Sequence, residues 1–210
     1  MDKNTAKRLL AESDYAPFEE AARRDFALVS RRLMAYTYDK TQEIGWRAIR
    51  ALGAICGAVV SQDPAVVRTL AQRLLWMMRD ESGNNPGSAP EILGEMVRAC
   101  PDALNDIAPI IASFEDEEML RPGVVWALYR IAEVRPDLVS QPAEFFERLL
   151  GDRNAVVRAN AVLAVSALGM RELANLSAVQ NDHSAVMVYF KGTLQETTVA
   201  ALAHGEIGKG

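Results

Sequence analysis

Cysteine and histidine are nearly missing from this chain: its 210 residues hold two of each. Cys56 and Cys100 form no Cys-x-x-Cys, and His183 and His204 lie far from both. That scatter does not fit a zinc site. Each cysteine sits among small or apolar residues, so two buried thiols are expected rather than a disulfide or a redox pair. The His-Glu-x-x-His, Gly-x-Ser-x-Gly, phosphate-loop and calcium-loop patterns are all missing. No catalytic set and no cofactor is therefore expected. No stretch of 18 residues is uniformly apolar, which argues against a membrane span. The N-terminus has no basic segment followed by a long apolar run, so no signal peptide is expected. A soluble protein of the reducing cytoplasm is the resulting expectation. A basic excess is also lacking: 23 Lys and Arg face 28 Asp and Glu, for a formal charge of −5 and a pI near 5.2. Generic nucleic-acid binding needs clustered cations to neutralise phosphates, so it is not favoured. Only the first fifty residues are net basic, with ten Lys/Arg against eight Asp/Glu. There Arg23, Arg24, Arg31 and Arg32 alternate with Glu19, Glu20 and Asp25, which reads as a salt-laced solvent face.

Hydrophobic residues make up 50% of the chain, enough to rule out a disordered polymer. They are organised by a period near 36 residues. Asp39, Asp80, Asp116, Asp152 and Asp182 each open a polar turn, and each turn precedes a small-residue-rich apolar stretch. This range of spacings suits repeated pairs of antiparallel helices. Helical spacing and turn residues place the pairs at about 17–35 with 43–59, 64–78 with 88–99, and 102–113 with 121–134. The remaining pairs are 141–150 with 155–169 and 171–180 with 184–203, and a short helix at 3–12 precedes them all. Ser61 or Asp63 is a candidate cap for the helix that Pro64 begins. The run from Asp80 to Pro90 is the longest turn-rich break. No Gly/Pro/Ser-rich linker divides the chain, so residues 1–210 read as one domain.

The copies can be compared with one another. Asp39 to Gly53 and Asp80 to Gly94 have the same length, with Ala48 on Ala89, Leu52 on Leu93 and Gly53 on Gly94. These matches reuse small residues, as close helix crossings require. Within residues 149–169 the pattern is clearest: Leu149, Leu150, Asp152, Val156, Val157, Arg158, Ala161, Ala164, Ala167, Leu168 and Gly169. This unit resembles a HEAT-like repeat of the short bacterial kind, also found in the PBS-lyase-like proteins. The resemblance implies an all-α superhelix, a HEAT/armadillo-like solenoid of about five helical hairpins. It also implies that Asp152 lies in a turn and that Arg158 reaches a neighbouring turn. Other copies depart from it: a Pro falls at the Arg158 position in some alignments, and Trp46-Arg47 has no evident equivalent.

In such arrays the second helices line a binding face. The resemblance therefore singles out Trp46, Arg47 and Arg50, then Glu91, Glu95 and Arg98, then Trp126, Tyr129 and Arg130. Trp46/Arg50 and Trp126/Arg130 repeat one spacing that places an aromatic and a guanidinium on the same helix face, a combination suited to gripping a peptide, an anion or a flat ligand. Core tryptophans with surface ion pairs remain the other reading. Asp80, Glu81, Asn84 and Asn85 are the loop candidates, and a plain connector is the alternative for them. The function expected is a non-catalytic scaffold for a protein or peptide partner. Two further readings stay open, each by likeness to HEAT-like relatives. One is a DNA-lesion-processing or nucleic-acid-binding protein, and the other is a tetrapyrrole-lyase-like subunit.

Overall fold

The computed structural model describes residues 2–79, 87–172 and 175–206. These residues form eleven α-helices and one β-hairpin, so the protein is predominantly α-helical. Helix α1 (Lys3–Ala11) is capped by Asp2, whose carboxylate accepts the amides of Asn4 and Thr5. The single helix expected at 17–35 is instead two, α2 (Ala16–Arg24) and α3 (Phe26–Met34). Asp25 divides them: it leaves helical geometry and caps the amide of Leu28 at 2.9 Å, an interaction worth about 1 kcal/mol.

Next come α4 (Glu43–Val59), α5 (Pro64–Arg79), α6 (Ala89–Ala99), α7 (Ile107–Ala112), α8 (Arg121–Ala132), α9 (Ala143–Leu150) and α10 (Ala155–Ala167). Pro64, Pro90 and Pro122 occupy first turns of α5, α6 and α8, where no helical hydrogen bond is lost. Asp63 rather than Ser61 caps α5, accepting the amides of Ala65 and Val66.

Every second helix stacks on the next. Helix α4 packs on α6, α6 on α8 and α8 on α10, while α5, α7 and α9 lie against this row and α1–α3 cover α4. The aligned glycines show why the row is tight. A Cβ on Gly53 would lie 2.7 Å from the Glu95 carbonyl oxygen, and one on Gly94 would lie 2.6 Å from Ala127 Cα. Each glycine thus admits the next helix at a distance that no larger residue permits.

The turns are stapled by a repeated device. Arg121 Nε donates to the Glu115 carbonyl at 2.6 Å, and an Arg158 guanidinium nitrogen donates to the Asp152 carbonyl at 2.7 Å. Both side chains then reach onward, Arg121 to the Asp152 carboxylate at 2.9 Å and Arg158 to that of Asp182 at 2.7 Å. Trp46 fills the same seat in α4, donating from Nε1 to the Lys40 carbonyl at 2.9 Å. In all three cases the acceptor lies six residues upstream.

The last repeat departs from expectation. Residues 176–179 form only a 3-10 turn, and 184–203 are not one helix. They form strand β1 (Ala185–Phe190), strand β2 (Thr193–Thr198) and the short helix α11 (Val199–Ala203). The all-α expectation is corrected accordingly. Val186 and Val188 are buried while Met187 is exposed, a two-residue alternation in β-branched sequence. Phe190 pairs with Thr193 across a two-residue turn. Lys191 and Gly192 supply the two positive φ angles, 48° and 92°, that a type I′ hairpin needs. No helix among the described residues is long and apolar enough to cross a membrane.

Candidate functional site

The face of the α4–α6–α8 row that carries Trp46 and Trp126 is covered by the hairpin of the same chain. Tyr189, on β1, lies nearly parallel to Trp46, with ring centroids 5.4 Å apart and planes 5° from each other. Trp46 also meets Trp126 at 5.0 Å and 52°. Trp126 Nε1 points to the Tyr189 carbonyl at 3.5 Å. Aromatic contacts of this kind are worth roughly 0.5–1.5 kcal/mol beyond the area they bury. The hairpin is pinned further at Glu43, which accepts the Leu194 amide at 3.2 Å. The two tryptophans expected to meet a partner therefore meet Tyr189.

The other expected groove residues are occupied in their own ways. Arg47 bridges Glu43 at 2.9 Å and donates to the Ala11 carbonyl, closing the C-terminal end of α1. Glu91 is buried and pairs with Lys40 at 2.6 Å, its second oxygen left without a partner among the described residues. Glu95 and Arg130 are buried and joined at 2.5 Å. Arg130 also pairs with Glu133, to which Tyr129 donates its hydroxyl at 3.0 Å. Burial, reinforced by the Glu133 charge, raises the Tyr129 pKa. Removing either member of the Glu95–Arg130 pair would strand a buried charge, at a cost of about 3–5 kcal/mol. Asp80, Glu81, Asn84 and Asn85 lie outside the described residues.

Of the open spaces beside the described residues, two bear on the choice of a binding surface. The first is an apolar groove of about 520 Å³ between α3 and α5. Phe26, Ala27, Met34, Val66 and Leu70 supply apolar surface there, and Arg31 and Arg73 are exposed at it. Tyr38, 64% exposed, also lines the groove. Neither arginine has an ion-pair partner among the described residues.

The second space, about 240 Å³, is polar and lies where the hairpin turn meets the helical row. Arg50, Arg98 and Arg130 enter it from α4, α6 and α8, with Glu133, Tyr189, Lys191 and Gly192 completing the wall. Arg50 was among the expected groove residues; it lines the open space and has no carboxylate partner among the described residues. Sequence reasoning missed Tyr189, Lys191 and Gly192 because the hairpin was read as helix. A lysine-glycine pair between an alternating apolar run and a threonine-rich run was the available signal. The groove residues were missed for a different reason: periodicity shows that α3 and α5 each have an apolar face, not that the faces stand apart.

Cys56 and Cys100 are free and buried in and just after α4 and α6. Burial pushes the Cys100 thiol up to about 11 and raises that of Cys56 as well. No protein-family model, curated protein or solved structure matches the chain.

Proposed function

We propose that the protein is a HEAT-like helical-repeat module, without catalytic activity of its own, that binds a peptide segment of a partner protein in the α3–α5 groove. The repeat reading is supported by the helical row and by the shared turn-stapling seat of Trp46, Arg121 and Arg158. The choice of surface rests on one observation. The groove between α3 and α5 is apolar, open and flanked by uncommitted arginines, whereas the Trp46–Trp126 face is filled by Tyr189. The segment that fits is amphipathic, with apolar anchors for the floor and acidic residues for Arg31 and Arg73. A flat lesion base or a tetrapyrrole would have to displace Tyr189 from Trp46, so those two readings gain no support. Two reduced thiols in the core suit a reducing compartment such as the cytoplasm.

The test is fluorescence anisotropy with a panel of labelled amphipathic peptides, acidic and basic versions of each. Acidic members should bind in a salt-sensitive manner. Arg31→Glu combined with Arg73→Glu should weaken that binding about tenfold or more, with an unchanged circular-dichroism melt. Ala27→Arg, on the exposed floor, should block it. Equal binding of acidic and basic peptides, or indifference to both variants, would refute the assignment.

A further inference from the structure

The space beneath the hairpin turn is built for an anion. Among the described residues, four cationic residues line it, and Glu133 is the one carboxylate in its wall. Glu95, paired behind Arg130, brings the count to four positive against two negative charges. This excess sits in a chain whose formal charge is −5, so it does not reflect a generally basic surface.

The commitments of the four cations differ. Arg130 is held by Glu95 and Glu133. Arg98 approaches Glu133 only at 3.9 Å, and its buried Nε has no hydrogen-bond partner among the described residues. Arg50 and Lys191 have no carboxylate partner among the described residues. Arg50 lies over the Tyr15 ring at 5.8 Å, and Lys191 lies over Phe190 at 5.3 Å. A ring quadrupole holds a cation in place without cancelling its charge.

Two further observations point to a ligand. Tyr189 lines the space and is 3% exposed; its hydroxyl proton has no acceptor among the described residues, while the nearby Arg50 guanidinium acts on its oxygen and opposes the rise in its pKa. A buried donor left unpaired is costly and rare. Burial, with Tyr15 nearby, pushes this phenol up to about 12, so it keeps its proton at neutral pH. The turn itself is chosen against conformational preference. Its first residue has φ of 48° yet is Lys191, where Asn, Asp or Gly fits better. The lysine ammonium thus stands at the rim of the space at the expense of local turn stability.

We propose that this pocket binds a phosphate monoester, with Arg50, Arg98 and Lys191 neutralising the dianion and the Tyr189 hydroxyl donating to one of its oxygens. A terminal phosphoryl oxyanion matches both the twofold positive excess and the fork geometry of guanidinium groups. At about 30 Å³ per water molecule, the 240 Å³ space has room for the phosphoryl group and the first atoms of what it esterifies. The pocket shares no residue with the α3–α5 groove, so this site stands or falls independently of the peptide reading.

Isothermal titration calorimetry on the full chain in low-salt buffer tests it, with inorganic phosphate, O-phosphoserine and acetate as probes. The wild type should bind phosphate and O-phosphoserine saturably, the monoester at least as tightly, and should ignore acetate. Arg50→Gln should weaken both about tenfold or more. Lys191→Asn is the control for folding: it should melt at the same or a higher temperature than the wild type without ligand, yet bind phosphate several-fold more weakly. A merely structural lysine would not separate those two readouts. No saturable heat with phosphate, equal response to acetate, binding of inorganic phosphate alone, or unaltered affinity in both variants would overturn the proposal.

Discussion

Asp182 and Arg158 show how a single pair ties one repeat to the next. Hydrogen bonding from Arg158, helped by Ser184, lowers the Asp182 carboxyl from 3.8 to about 2. A carboxyl depressed in the folded state contributes stability that is complete above its unfolded pKa and lost as pH falls through its folded one. The stabilisation is therefore present above about pH 4 and disappears toward pH 2. Urea denaturation of Asp182→Asn against the wild type should show a deficit at pH 7 that closes over that window. A deficit unchanged at pH 2 would mean the pair acts through packing rather than charge. The sequence pointed to Arg158 reaching a neighbouring turn, through the pattern of Asp152, Arg158 and their flanking Val and Ala residues, but did not name Asp182 as its partner. The equivalents of Arg158 were not legible. Arg121 was hidden by the proline that follows it, and Trp46 by being no arginine at all. What the three share is a donor that reaches a carbonyl six residues upstream, a property of geometry rather than of residue type.

Among the elements, the hairpin is the one whose removal should matter most. It brings Val186, Val188 and Tyr189, all buried, onto the helical row. Tyr189→Ala should cost about 3–5 kcal/mol, the range for deleting a buried large aromatic side chain. It should also leave Trp46 and Trp126 in a wetter environment, read as a red-shifted tryptophan emission and stronger acrylamide quenching in the native state. Emission unchanged from the wild type would show that the stack is not held by the tyrosine. The helical elements were easier to read than this one. Proline at the first turn, aspartate at the cap and glycine at the crossing each leave a local mark, which is why α4, α5, α6, α8, α9 and α10 fall close to where periodicity places them. Strands of six residues leave a shorter record, and Ala185–Phe190 contains a continuous apolar run that suits a helix face as well as a strand. The division at Asp25 was missed because one residue serves two helices, ending α2 and capping α3.

For the molecule as a whole, the hairpin joins parts that an open repeat array keeps separate. Glu43 at the start of α4 accepts the amide of Leu194 on β2, across 151 residues. Repeats that contact only their neighbours can open one at a time; a clasp between distant ends favours a single transition. Cys56 and Cys100 report on this from the interior of the row. In a urea series, their labelling by a thiol reagent should rise at the midpoint of the circular-dichroism transition and remain slow before it. Labelling that precedes the loss of helix would indicate an end that frays independently. The candidate sites were only partly visible from sequence for the same reason. Trp46, Arg50, Trp126 and Arg130 were identified by their spacing on separate helices, but the residue that joins them comes from the far end of the chain.

That late arrival bears on how the protein is made. A ribosome delivers Trp46 and Trp126 well before Tyr189, so the nascent chain must carry an uncovered aromatic face until the hairpin follows. The face is covered only once the hairpin of residues 185–198 has emerged, and until then it is the natural place for a chaperone to hold the chain.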